Sequence, residues 1–305
     1  MKRPSVGDGV RWVAVVGLAV ACAGWWCRGR DAGVLTQVLA YGTPWLLRLA
    51  AGLVAVLVLR HWWLKAAAVV VLAGALHHAA GSFAWRAAPA VAEGTAMKVS
   101  VWNAARRLAA NEAAWPALAE ADISAVVEAG DFSAEKWSRF QASSPGHTWL
   151  RLDASMMIGV RGRILDHEAA GVHDLYRCHR VTVSVPGRGT FPVVVADLRS
   201  QPWLPREPAL RGVLAAAGDD PRAIVLGDFN TPPEARGFRG WRERGLVLAN
   251  DAPRRGFRET WAYGLPLLTL DQLWLAGGWR VISAEKSHLG SDHARVCCRV
   301  VPAGG

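Results

Sequence analysis

The sequence predicts a layered α/β domain behind a helical membrane region, and three observations carry that prediction. The first 85 residues are long apolar stretches separated by short basic loops. From about residue 97, short apolar runs closed by turn residues alternate with helical patterns, as interior strands do. Between about residues 155 and 200 several strands follow one another with no helix between them. That order favours a sandwich over a doubly wound parallel sheet.

In the N-terminal third the apolar stretches run from about Trp12 to Cys27, Val34 to Leu59 and Ala66 to Trp85. The last two are long enough to cross a bilayer, whose core takes roughly 20 apolar residues. The first is marginal, and Lys2 and Arg3 ahead of it also fit a signal peptide. Trp12, Trp25, Trp26, Trp45, Trp62, Trp63 and Trp85 fall near the predicted ends, where amphipathic rings favour the interface. Three crossings are therefore expected over residues 1–85. Lys2, Arg3, Arg11, Arg60 and Lys65 gather on one side against Arg28, Arg30 and Arg86 on the other. By the positive-inside rule the N-terminus is then cytoplasmic and the domain extracytoplasmic, in a multi-pass cell-membrane protein. Arg48, His77 and His78 lie inside the apolar stretches. Arg48 is expected to pair with a neighbouring helix or a headgroup, and the histidines to hydrogen-bond across the bundle.

Charge excludes little. The net charge of +10 belongs mostly to residues 1–95, with nine Lys/Arg against three Asp/Glu, so pI gives no argument for nucleic-acid binding by the rest. The five cysteines form no metal-binding spacing and no disulfide framework. Of adjacent Cys297 and Cys298, one reads as an inward and one as an outward residue of a terminal strand.

Residues 86–96 are small and turn-prone and read as a linker. "MKVSVWN" is a strand ending in Asn103, "EAAWPALAEA" a helix, and "DISAVVEAG" a strand ending in Glu128. "SMMIGVRG", "CHRVTVSVPG" and "FPVVVADLRS" are consecutive strands, the second turning at Gly187 to Gly189. A helix from about Pro205 to Ala217 leads to "AIVLGDFN", which presents Asp228 and Asn230 before two prolines stop the chain. "LTLDQLWLAGGWRVISAEK", with Asp271, and "HLGSDHARV", with Asp292 and His293, supply the last strands. "PRRGFRETW", at 253–261, is either a solvated loop or a grip on a phosphate-rich substrate, and the first reading is preferred.

Asn103, Glu128, Asp228 and Asn230 thus follow strands, Asp292 and His293 open the last one, and Asp271 lies within "LTLDQLWL". Oxygen donors of this kind suit magnesium or manganese, which bind through one or two carboxylates and keep waters for the substrate. With "GDFN", "LTLDQLWL" and "GSDH" in that order, and "WN" and "VVEAG" in support, the region from about 97 to 301 resembles the endonuclease/exonuclease/phosphatase superfamily. The resemblance implies a DNase I-like four-layer α/β sandwich and metal-dependent hydrolysis of a phosphate ester. It also implies roles. Glu128 would hold Mg2+ or Mn2+ with Asn103 beside it and Asp292 adding charge at the metal edge. Asp228 and Asn230 would orient the attacking water and a phosphate oxygen. His293, paired with Asp271, would act as general base or as a protonated phosphate contact.

One position departs from the family. Where many members carry a phosphate-binding His in a "THL"-like stretch, "VVVADLRS" has Asp197. It binds a second ion, or is replaced in charge by Arg199, or reduces activity, or simply faces solvent. His173 and His179 read as ordinary strand histidines rather than substitutes. The expectation is a membrane-anchored phosphodiesterase acting on nucleic acid or phospholipid-type substrates. The alternative is a catalytically silent binding domain that keeps the fold.

Overall fold

The structure, a computed structural model, describes residues 6–87, 89 and 94–304. Lys2 and Arg3 of the charge argument, much of the expected linker and the side chain of His173 lie outside the described residues.

Four helices come first: α1 (Val6–Cys27), α2 (Val34–Gly42), α3 (Trp45–Val58) and α4 (Trp62–Ser82). Of these, α1 and α4 are individually long and apolar enough to cross a membrane. The stretch from Val34 to Leu59, expected as one span, is instead broken, with α2 and α3 bent by 74°. The cause is local. Pro44 has no N–H to continue α2 and holds the preceding residue out of helical conformation, and Thr43 sits at φ −120°, ψ 63°. The C-terminal end of α1, the N-terminal end of α3 and the C-terminal end of α4 all meet the following domain, and α3 packs between α1 and α4. Instead of continuing α3, α2 lies on the domain, where the buried Gln37 amide donates to the carbonyls of Pro202 and Leu204.

The third apolar stretch does not stay helical to Trp85. Its end is a strand, β1 (Phe83–Trp85), and the remaining elements are β2 (Met97–Asn103), α5 (Trp115–Ala119), β3 (Ile123–Val127), α6 (Ala134–Ala142), β4 (Thr148–Leu152), β5 (Met156–Val160), β6 (Arg163–His173), β7 (Tyr176–Val185), β8 (Gly189–Leu198), α7 (Arg206–Ala217), β9 (Ile224–Asp228), α8 (Arg239–Glu243), β10 (Val247–Leu248), β11 (Arg255–Phe257), β12 (Asp271–Leu275), β13 (Trp279–His288) and β14 (Ala294–Pro302). Among the described residues they form two six-stranded sheets, ordered β10-β12-β9-β8-β7-β6 and β13-β14-β2-β3-β5-β4, and β1 pairs with β11. The sheets pack face to face through Val99, Val101, Ile158, Val193, Val195 and Leu226, alternate residues of strands with one face inward. Helix α7 and the segment around α8 cover one outer face through Leu210, Phe238, Trp241 and Trp274. On the other, α5 and α6 contribute Trp115, Leu118 and Phe140 around Trp102. Helix, sheet, sheet and helix make the four-layer α/β sandwich. Cys298 is buried and Cys297 half-buried, the alternation expected of that strand.

Each sheet holds one parallel pair, β2 with β3 and β8 with β9. The carboxyl ends of both pairs come together at one edge of the sandwich. Strand β12 runs antiparallel to β9 and begins there, with Asp271 opposite Asp228.

Up to Glu259, "PRRGFRETW" is neither a solvated loop nor a substrate grip; only its last residue, Trp261, reaches the catalytic cleft. Phe257 stacks on Trp45 with ring centroids 5.3 Å apart, Arg254 donates to the Ser82 carbonyl, and Arg258 pairs with Glu234 and Asp251. Glu259, only 4% exposed, accepts from Trp45 Nε1 at 3.1 Å and from the Ser82 hydroxyl. The segment is the dock that joins the helices to the sandwich. As expected, Arg48 finds a partner inside the bundle, His78 Nδ1 at 2.8 Å, and Arg28 contacts the other ring nitrogen at 3.1 Å.

Candidate active site

Three adjacent strands each place an aspartate at the same edge. Asp197 on β8 is level with Asp228 on β9, and Asp228 with Asp271 on β12. Asp228 is held from two sides: Oδ2 accepts from Asn103 Nδ2 at 2.8 Å and Oδ1 from the Asn230 backbone at 2.9 Å. The glycine of "GDFN" is required by close approach, since a Cβ at Gly227 would lie 1.8 Å from the Ala196 carbonyl oxygen. Asn230 then turns left-handed, at φ 45°, and its amide donates to the Leu198 carbonyl at 2.8 Å. Glu128, immediately after β3, is also left-handed, at φ 48°. Such backbone is costly for a residue other than glycine and concentrates at functional sites. It carries the Glu128 carboxylate off the strand axis, toward Arg106 Nε at 3.7 Å.

Asp271 is fully buried and bonds His293 Nδ1 at 2.7 Å through Oδ2 while Oδ1 accepts from the Asn103 backbone at 3.2 Å. With Nδ1 committed, Nε2 is the ring nitrogen left for a substrate. Ser291 braces the loop by donating to the Asn103 carbonyl at 2.8 Å and accepting from the His293 backbone at 3.1 Å. Asp292 accepts from the Trp261 indole at 3.0 Å. Asn103 donates to Asp228, and its own Oδ1 accepts from the Ala105 backbone at 2.8 Å, so its direct work is to fix Asp228.

The crowding of acids shows in their proton affinity. Burial, with Asp271 beside it, raises Asp228 to about 6 against the opposing pull of His293. Burial and the charges of Asp228 and Glu128 raise Asp197 to about 8, although Arg177 and Arg199 work the other way. Burial alone would lower His293. Asp271, Asp228 and Asp292 outweigh it and push the imidazole up to about 10, so the ring is cationic at neutral pH.

All of the expected residues meet around two joined spaces. Asn103, Glu128, Asp228, Asn230, Asp292 and His293 line one, with Asp271 directly behind His293. Asp197 and Arg199 line the other, which shares Glu128 and Asn230 with the first. His179 is buried in β7 and lines neither. Sequence reasoning missed Ser291, Trp261 and Thr260, whose hydroxyl accepts from the Asp271 backbone at 3.0 Å. All three stood inside motifs already singled out, Ser291 in "GSDH" and Thr260 and Trp261 in "PRRGFRETW". It also missed Arg177 and the α2–α3 wall of the cleft, for which no motif existed.

The donor chemistry fits a divalent cation. Glu128, Asp228 and Asp292 converge on one cleft with Asp197 adjoining, and Asp228, Asp271 and His293 offer ligand atoms within 4.8 Å of one another. Asp271 and His293 are bonded to each other, and the carboxylates that line the cleft itself are Glu128, Asp228 and Asp292.

A four-layer sandwich with carboxylates at the ends of its parallel strands and the Asp271–His293 pair beside them defines a phosphoesterase-type fold. The family model described as the Endonuclease/Exonuclease/phosphatase family matches residues 100–293, and the chain belongs to that family, whose members are hydrolases acting on phosphate esters. Among solved structures it is similar to an endonuclease/exonuclease/phosphatase from Beutenbergia cavernae, at 16% identity and TM-score 0.52, covering 68% of this chain and 72% of that one. Two family proteins from Bacteroides, B. thetaiotaomicron and B. vulgatus, each match at 14% identity and TM-score 0.51, over 68% of this chain and 97% and 99% of theirs. These likenesses show the fold. No curated protein matches the chain.

Proposed function

We propose that the protein is a membrane-anchored, divalent-metal-dependent phosphodiesterase whose catalytic domain, residues 97–301, follows three crossings and faces outside the cytoplasm. The observation that carries the reading is the convergence of Glu128, Asp228, Asn230 and the Asp271–His293 pair on one cleft. Three helix ends meeting the domain, with Arg60 and Lys65 at the opposite end of the bundle, support the topology.

Glu128 would hold Mg2+ or Mn2+, with Asn103 beside it and Asp292 at its edge; when bound, the ion supplies positive charge to a phosphoryl oxygen. Every other step belongs to the chain. Asp228, raised toward neutrality, accepts a proton from water as the water oxygen bonds to phosphorus. Asn230 and the Asn103 amide keep that carboxylate aligned. The His293 imidazolium, held by Asp271, donates from Nε2 to a phosphoryl oxygen and offsets the charge that develops there. The opposite P–O bond breaks, and the leaving oxygen departs with its electron pair and takes up a proton from solvent. Because His293 is already protonated, phosphate contact suits it better than general base. Arg177 and Arg199, beside Asp197, supply the cationic contact that the absent His would have given.

The test is release of 4-nitrophenolate from bis(4-nitrophenyl) phosphate by the full chain, with Mg2+ and with chelator, alongside Asp228→Ala and His293→Ala. Turnover is expected with Mg2+ only, and both substitutions should reduce it about 100-fold or more. Turnover absent, or indifferent to both, would favour the silent binding domain. A reporter fused to the C-terminus, active only outside the cytoplasm, tests the orientation.

A further inference from the structure

The space over the catalytic groups has a volume of about 660 Å³, and apart from Tyr41, Ser200 and Arg206 its remaining lining is mostly apolar. Val38, Pro44 and Leu47, on either side of the α2–α3 elbow, form one wall. Leu267, Leu268 and Leu270, ahead of β12, form another. Leu47 is 52% and Val38 36% exposed, so neither is needed to fill a protein core. Beyond Glu128, Ser200 and Asn230 the cleft continues into a second space of about 390 Å³, which is polar and carries Arg106, Arg177 and Arg199. Apolar surface, reacting groups and cations therefore share one continuous cleft.

The apolar wall is continuous with the membrane region. It is built by the broken helix pair that leads into α3, between two helices long and apolar enough to cross a bilayer. Next to the cleft-lining Pro202 stands Trp203, 61% exposed, and near Leu267 stand Tyr263 and Leu265, 75% and 56% exposed. Trp26 and Trp85, at the domain end of α1 and just beyond α4, are 70% and 74% exposed. Exposed aromatic rings at the level where apolar helices end are the composition of a bilayer–water boundary.

We propose that the substrate is an amphiphilic phosphodiester taken from the bilayer on which the domain sits. Its hydrocarbon chain lies against the α2–α3 elbow and Leu267–Leu268, its phosphate between Glu128, Asp228 and His293, and its polar group in the arginine-lined space. This names the substrate class of the site and rests on the phosphoesterase reading above. A nucleic-acid strand, with no hydrocarbon chain, leaves that wall unused.

The test uses the full chain in phosphate-free maltoside micelles with Mg2+ and two soluble chromogenic diesters, 4-nitrophenyl hexyl phosphate and 4-nitrophenyl ethyl phosphate. Each methylene leaving water is worth about fourfold, so burial of even two more predicts a hexyl-over-ethyl preference in kcat/KM of about tenfold or more. Leu47→Gln should cut that ratio severalfold. Because a polar residue in an apolar helix can prevent folding, Leu268→Ala provides a second variant outside the helices. Partitioning of the hexyl ester into the micelle is common to all three proteins, so a change in ratio reports the wall alone. Equal turnover of the two esters, or a preference unchanged in both variants, overturns the proposal and leaves the phosphoesterase intact. No turnover of either ester sinks the phosphoesterase reading, and the proposal with it.

Discussion

Replacing Asp271 by asparagine tests how the site keeps its proton. Asp271 is fully buried and lies 2.7 Å from His293 Nδ1. At about 4 Å and an effective dielectric near 20, two unit charges attract by about 4 kcal/mol. At roughly 1.4 kcal/mol per pH unit, loss of that charge should lower His293 by about three pH units, from about 10 to near neutrality. The sign follows from a raised histidine. Its stabilisation is complete below the unfolded value near 6.5 and is lost as pH rises through the folded value. In Asp271→Asn the loss should therefore be complete near pH 7 rather than near pH 10. The His293 ring-proton shift of the metal-free chain, followed by NMR against pH, reads the change directly. At pH 8 a ring titrating near 7 is about one-tenth protonated, so kcat/KM should fall about tenfold or more, with activity recovering partly toward acid as the ring regains its proton. An unmoved titration in the variant would refute the assignment of Asp271 as the group that holds the imidazolium.

Three further outcomes are expected. Asp228 and Asp197 are raised to about 6 and about 8, so the folded chain keeps protons that the unfolded chain has released, and metal-free stability should decline as pH rises from about 4 to 8. Thermal melts should show a higher Tm at pH 5.5 than at pH 8, a flatter dependence in Asp197→Asn, and the larger rescue by Mg2+ at pH 8; a Tm that climbs across this window in chelator would contradict the charge balance. Glu259→Ala leaves Trp45 Nε1 and the Ser82 hydroxyl without their buried acceptor and should cost about 3–5 kcal/mol, read as a lower Tm and faster proteolysis between the helices and the sandwich. Gly227→Ala, whose new methyl would meet the Ala196 carbonyl at 1.8 Å, should destabilise by about 1–3 kcal/mol or more, and an unchanged Tm would show that β8 and β9 can separate there freely.

What could be read from the sequence was whatever is local. Glu128, Asp228 and Asn230 each follow a short buried run, and a chain that ends a strand and turns leaves its mark in adjacent residues. The apolar alternation of β7, the continuous apolar run of β8 and the tryptophans at helix ends were legible for the same reason. The rest depends on partners far apart in the chain. Pro44 was visible, but nothing nearby indicates that Gln37 will bond to carbonyls at 202 and 204, so α2 and α3 read as one span. The arginines of "PRRGFRETW" looked like contacts for an anion until Glu234 and the Ser82 carbonyl were beside them. Asp197 was recognised as a departure from the family, while the company of Asp228, Arg177 and Arg199 that sets its proton affinity follows from strand order alone.

The most direct trial of the central claim is an anomalous difference map from crystals of the full chain grown with Mn2+ and inorganic phosphate. The account predicts one strong manganese peak bonded to a Glu128 carboxylate oxygen, with phosphate between it and His293 Nε2. Manganese seated away from Glu128, or phosphate bound where His293 and Asp228 cannot reach it, would contradict the account.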